Sequence, residues 1–171
     1  MSLHMLGPGK QSPELVNAVI EIPYGSRIKY EIDHITNLVK VDRVLYSPLH
    51  YPAEYGFIPH TLAPDGDPAD ILVLISGATY PGVVVEARPV GVLRMTDDKG
   101  NDDKVLSVAL DDPNYHHVKD LGDLPPHLLR EVEHFFLTYK NLEAKDVRSE
   151  GWEGRLQAYE FIESSIRAFR N

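Results

Sequence analysis

The segment Asp65-Gly66-Asp67-Pro68-Ala69-Asp70-Ile71-Leu72-Val73-Leu74-Ile75 puts three carboxylates in a turn directly ahead of an apolar run. Five consecutive apolar residues, all of them β-branched or leucine, bounded by turn formers, read as a buried strand. The turn is harder to read. Two carboxylates about 4 Å apart repel by roughly 4 kcal/mol at an effective dielectric near 20, so the cluster calls for a hard divalent cation or for full solvation. Asp-Gly turns on protein surfaces are common without any ligand, and both readings stand on this motif alone. An EF-hand is excluded, because positions 6 and 12 from Asp65 hold Asp70 and Ser76 instead of Gly and Glu. A covalent aspartyl nucleophile is disfavoured, since the acids precede their strand instead of ending one.

On both sides of this segment the chain is punctuated as short strands. Val16-Ile22, Ile28-Asp33, Leu38-Leu45, Ile71-Ile75, Val83-Met95 and Lys104-Ala109 are separated by turn residues, and Pro89 marks an edge or bulge in the longest. Many short strands predict a small closed barrel. After Ala109 the apolar period changes. Leu128, Leu129, Val132, Phe135, Phe136, Tyr139 and Leu142 recur at helical spacing behind Asp123 as cap and Pro125-Pro126 in the first turn. A second helix is expected from about Glu153 to Ala168, with Leu156, Tyr159, Ile162, Ile166 and Phe169 inward. The charged stretch Lys145-Gly151 reads as the loop between them. The fold class is therefore α+β with a mainly β core and two flanking C-terminal helices.

A length of 171 residues without a linker or repeat fits one domain over residues 1–171. Residues 1–12 are expected to be a flexible N-terminal segment, with Met1 to Met5 resembling an appended leader before a second start. With 26 Asp+Glu against 17 Lys+Arg, the net charge of -9 disfavours nonspecific contact with nucleic acid or an anionic membrane. The absence of cysteine removes disulfides and thiolate zinc sites. No apolar run approaches the ~18 residues of a membrane span, and no secretory h-region is present. The expectation is a soluble, cytoplasmic protein.

Two further mixed clusters accompany the acidic turn. Alternation along a strand puts Arg27, Lys29, Glu31 and Asp33 on one face, while Asp102 and Lys104 lie on the return arm of a hairpin whose other arm ends at Asp97. Each alone also reads as a solvated face with weak ion pairs. If the three meet, carboxylates would hold several divalent ions while Lys29, Arg43, Lys104 and Lys140 grip an oligophosphate, the composition of metal-assisted phosphoryl transfer. No P-loop, G-x-G-x-x-G or H-E-x-x-H motif is present, and His116-His117 and His134 read as surface or packing residues. The aromatic stretch Tyr51 to Pro59 reads as a packed loop over the barrel end, with Tyr55 able to donate to a phosphate oxygen; Tyr139-Lys140 carries the same ambiguity.

Ile20-Glu21-Ile22-Pro23, Lys29-Tyr30-Glu31, Val41-Asp42-Arg43, Tyr55-Gly56-Phe57-Ile58-Pro59, Asp65 to Asp70, Asp97 to Lys104 and Tyr139-Lys140, in this order, closely resemble the family I soluble inorganic pyrophosphatases. The resemblance runs from about Val16 to Trp152. It implies an oligonucleotide/oligosaccharide-binding-like (OB-like) barrel, a homo-oligomer with a hexamer favoured, and hydrolysis of inorganic diphosphate to two phosphates with several Mg²⁺ ions per site. By the family's roles, Glu31, Asp65, Asp70, Asp97 and Asp102 serve the metals, Glu31 mainly through water. Asp67 is the catalytic base acting on a metal-activated water, with no covalent intermediate. Lys29, Arg43, Tyr55, Lys104, Tyr139 and Lys140 bind the phosphates. Ala69 is smaller than the aliphatic residue usual at its place, Glu54 stands where Asn or Asp is frequent, and Thr138 and the short Lys145-Gly151 stretch depart near the expected subunit contacts. A broader phosphatase for nucleotides or monoesters, and a noncatalytic barrel binding single-stranded nucleic acid through its aromatics, are the rival readings.

Overall fold

The computed structural model describes residues 5–33 and 35–171. Among the described residues there are nine strands: β1 (Val16–Ile22), β2 (Ile28–Ile32), β3 (Val39–Val44), β4 (Glu54–Phe57), β5 (Asp70–Leu74), β6 (Val84–Asp97), β7 (Gly100–Asn101), β8 (Lys104–Ala109) and β9 (Arg148–Gly154). Two helices, α1 (Pro126–Thr138) and α2 (Arg155–Arg170), lie in the last third. β1 pairs β4, β4 pairs β5, β5 pairs β8 in parallel, β8 pairs β6, and β6 returns to β1. The pairing thus closes into a ring of five strands, which removes the open edges that a flat sheet would leave unpaired. β2 and β3 form a separate antiparallel pair.

The apolar residues divide according to the face on which alternation puts them. Ile22, Leu72, Leu93 and Leu106 pack with Tyr51, Val132, Phe135 and Phe136 beneath α1. On the other side Ile20, Ile71, Val73 and Val105 pack with Phe161 and Ile162 of α2. Gly56 is required where β4 crosses β1, since a Cβ there would lie 1.8 Å from the Val19 carbonyl oxygen. The expected bulge at Pro89 is present as a register shift between Pro89 and Gly91.

Several expectations need correction. Glu54–Phe57, read as loop, is a strand held on both sides by β1 and β5; at four residues between Pro52 and Pro59 it is too short to display an alternation. The charged stretch read as an inter-helix loop becomes β9, whose charges face solvent while its backbone pairs with Gly91–Thr96 of β6. Asp123 caps no long helix: it closes the 3-10 turn Leu121–Asp123 in a reciprocal box with Asp120, and α1 begins at Pro126. Leu142 lies beyond α1 and is exposed, as are Leu156 and Phe169 on α2. Phe161 takes the inward position instead, and Phe169 stacks on His60 with ring centroids 4.9 Å apart.

Glu54, the unusual residue before Tyr55, is fully buried and accepts from Tyr24 N–H, Thr79 N–H and the Thr79 hydroxyl at 3.1, 2.9 and 2.6 Å. It ties the loops at Tyr24 and Thr79 to β4. Ala69 is also fully buried, with its N–H donating to Thr61 Oγ1 and its carbonyl accepting from Ile58 N–H, both at 2.9 Å. Residues 5–12, within the stretch expected to be flexible, are held at the Pro8 carbonyl by Asn17 N–H and at the Gly7 carbonyl by the Asn17 amide; Met1 to His4 lie outside the described residues.

Candidate active site

The parallel register of β5 and β8 sets Asp70 beside Lys104, and the hairpin between β6 and β8 brings Asp97 and Asp102 to the same end. The acidic turn stands just ahead of β5. Gly66 takes a φ of 91°, Ala63 N–H donates to the Asp67 carbonyl, and Asp67 N–H donates to Asp65 Oδ1 at 3.1 Å. β2 and β3 close one side with Lys29, Glu31 and Arg43, and the end of α1 supplies Tyr139 and Lys140. Together they line a cavity of about 530 Å³ into which every site residue named from the sequence faces: Asp67; Lys29, Arg43, Tyr55, Lys104, Tyr139 and Lys140; Glu31, Asp65, Asp70, Asp97 and Asp102.

Each nominated cation is paired with carboxylates. Lys29 Nζ donates to Glu31 at 2.9 Å and to Asp42 at 3.2 Å. Arg43 donates to Asp42 at 2.6 Å, and its Nε lies 2.9 Å from Glu143. Lys140 reaches Asp97 at 3.4 Å. Lys104, 3% exposed, bonds both Asp70 and Asp102 with its Nζ 5.7 Å from the Tyr55 and Phe136 ring centroids. Burial opposes the Lys104 charge, yet the two carboxylates hold its pKa above the ordinary lysine value.

The carboxylates themselves are unevenly satisfied. Burial raises Asp65, with Asp70 and Asp67 adding to it. Burial also raises Asp102 above the usual range despite Lys104. Asp97 is held below that range, because Lys99 N–H and Lys140 outweigh its burial, and Glu31 is lowered by its bond from Lys29. Burial foremost keeps the Tyr55 phenol protonated far above its ordinary value.

Sequence reasoning assigned no role to Glu21, although its charge inside the apolar run of β1 was the available signal. It lines the cavity, accepts from Ile32 N–H at 2.9 Å, and is pushed up to about 7 by burial. Asp42 and Glu143, the partners of Arg43, were also unassigned. Arg27 does not line the cavity; its Nε donates to the Ser47 carbonyl at 3.1 Å. Neither His116-His117 nor His134 lines it.

As a donor set, the six nominated carboxylates at this cavity suit hard divalent cations, which take oxygen ligands. Among the described residues no three His, Asp or Glu side chains already converge on one point, since Lys104 stands between Asp70 and Asp102. The site fits such ions in chemical kind, and raised carboxyl groups such as Asp65 and Asp102 mark where added positive charge would be most favourable.

Comparison with known proteins gives a consistent result. A family model described as inorganic pyrophosphatase matches residues 18–170. The inorganic pyrophosphatase of Sulfolobus acidocaldarius is 47% identical over 165 residues, covering 95% of each chain. That of Haloferax volcanii is 48% identical over 159 residues, covering 92% of this chain and 90% of its own. The crystal structure of inorganic pyrophosphatase from Thermus thermophilus superposes with a TM-score of 0.97 at 46% identity, covering all of both chains. With a matching family model and relatives of this identity spanning nearly its whole length, the chain belongs to the inorganic pyrophosphatase family.

Proposed function

We propose that this protein is an inorganic diphosphatase that hydrolyses diphosphate to two phosphates with Mg²⁺ as cofactor, by direct attack of water and without a covalent intermediate. The observation that carries the reading is the convergence of Asp67, five further nominated carboxylates and six phosphate-binding candidates on one cavity. Glu31, Asp65, Asp70, Asp97 and Asp102 would hold the ions. When bound, divalent cations would supply a water acidified toward neutrality and offset the charge of the substrate.

The chain's own residues account for the rest. Asp67 is exposed to the cavity, and its carboxylate makes no hydrogen bond to another described residue, so it is available to orient and deprotonate the attacking water. Arg43 and Lys29 offer donors suited to phosphate oxygens, and Tyr55, kept protonated, offers its hydroxyl. Lys104 and Lys140 stabilise charge on the transferring and leaving groups. Because these cations are paired with carboxylates in the resting site, an arriving anion competes for the cations while metal competes for the acids. Substrate and metal therefore bind with positive coupling.

The same reading covers architecture and setting. The five-strand ring supports an OB-like closed barrel in a single domain over residues 1–171. A homohexamer in the cytoplasm is proposed on the family resemblance. No described helix is long and apolar enough to cross a membrane. Rates on diphosphate, ATP and a simple phosphate monoester test the activity. The reading predicts a strong preference for diphosphate, and faster turnover of ATP would overturn it.

A further inference from the structure

Between Asp102 and Lys104, both on the cavity, stands Asp103, whose side chain turns to the opposite side and is only 8% exposed. Its Oδ1 accepts from Met95 N–H at 3.0 Å, and its Oδ2 accepts from Arg94 Nη1 at 2.7 Å. Arg94 in turn donates from Nε to Glu153 of β9 at 2.6 Å. Met95 also accepts, through its carbonyl, from Asp102 N–H at 2.9 Å. Met95 therefore grips consecutive residues of the hairpin by two bonds, one to the Asp102 backbone and one to the Asp103 side chain. A continuous path of charge-assisted bonds runs from β9 across β6 to the residue between two site groups.

Such a clamp has a geometric consequence. The segment Asp102-Asp103 lies between β7 and β8, outside both strands, so sheet pairing alone does not fix it. With Asp103 anchored behind, Asp102 and Lys104 are directed into the cavity from a fixed backbone. Anchoring also keeps a further carboxylate from swinging toward the site as a competing ligand. Arg94 neutralises Asp103 on the far side, where its charge does not add to the crowded acids.

We propose that Asp103, held by Arg94 and the Met95 amide, is a positioning residue that sets the direction of Asp102 and thereby the affinity of the site for divalent cations. The proposal rests on the reading of Asp102 as a cation ligand. Groups that support metal ligands from behind commonly govern affinity by 10–100-fold.

The test is Mn²⁺ binding to the full-length, metal-stripped protein, followed by the electron paramagnetic resonance signal of free Mn²⁺. Asp103→Ala is expected to weaken binding by about 10–100-fold. The Mg²⁺ concentration needed for half-maximal phosphate release should rise with it, while kcat at saturating Mg²⁺ stays within a few-fold of wild type. Arg94→Met should act in the same direction, and the double variant should be little worse than Asp103→Ala, since both break one path. Asp103→Asn, which keeps an acceptor for Met95 N–H and loses only the ion pair, should show a smaller weakening and carries the test if Asp103→Ala does not fold. Ile162→Val, which removes one buried methyl from the core beneath α2, should leave Mn²⁺ affinity unchanged. Folded Asp103 variants binding Mn²⁺ as tightly as wild type would overturn the proposal while leaving the cation site intact. A wild-type protein binding no Mn²⁺ would overturn both.

Discussion

Replacing Lys104 with Met keeps most of the aliphatic stem and removes the one ammonium that joins Asp70 to Asp102. With Lys104 3% exposed and its partners' side chains 24% and 15% exposed, this is a buried ion pair with limited access to water. Deleting one partner of such a pair costs about 3–5 kcal/mol, because a charge is left buried and unmatched. Partial exposure of Asp70 places the electrostatic part near about 3 kcal/mol, and loss of the two ring contacts adds about 0.5–1 kcal/mol each. The expected loss is about 4–5 kcal/mol in metal-free protein, a large share of ordinary domain stability. Its pH dependence has a definite sign. Without Lys104, burial and the neighbouring Asp70 charge raise Asp102 further, and a raised acid destabilises the fold only once pH exceeds its unfolded value. Urea unfolding followed by Trp152 fluorescence, in chelator at about pH 8 and about pH 4, should therefore show the full loss at the higher pH and a smaller one at the lower. A loss under about 1 kcal/mol, or one identical at both pH values, would refute the reasoning.

Glu21 gives a second pH signature: it is raised from 4.5 to about 7, so the stability tied to its proton is complete below 4.5 and lost as pH rises through 7. Glu21→Gln should thus stabilise the metal-free protein by about 2–3 kcal/mol near pH 8 and have little effect near pH 4, measured by urea titration. Gly56→Ala places a methyl 1.8 Å from the Val19 carbonyl oxygen, so it should cost about 4 kcal/mol or more and lower the urea midpoint or leave the protein insoluble. Lys99 lines the cavity at the exposed hairpin tip and makes no ion pair among the described residues. Lys99→Gln should raise KM for diphosphate by about 2–5-fold at low salt, with kcat unchanged and a smaller salt dependence, because it contributes only long-range attraction.

The strands that alternate or run apolar for five or more residues, such as β1, β5 and β8, were legible because burial dictates their composition. β4 and β9 were not. β4 is short and prolines stand close on both sides, and β9 is a charged, glycine-containing strand recruited to β6 chiefly through backbone pairing, which leaves no apolar alternation to read. The first of these misses mattered most, since β4 closes the ring and carries Tyr55. At the site, the charged residues announced themselves as three separate clusters, and the family resemblance nominated which of their members share one cavity. What composition and spacing cannot carry is pairing across 100 residues, as between Arg43 and Glu143. Alternation points Asp103 away from Asp102 and Lys104, but no local signal reveals what receives it there. Its partners Met95 and Arg94 are brought near only by the register of β6.

The most direct test of the central claim is phosphate release from diphosphate by wild type and Asp67→Asn, each in Mg²⁺, in Ca²⁺ and in chelator. The account predicts turnover in Mg²⁺, little in Ca²⁺, none in chelator, and a fall of about 10²–10⁴-fold for Asp67→Asn, the range for loss of a general base. Robust metal-free turnover, or an Asp67→Asn enzyme as fast as wild type, would contradict it.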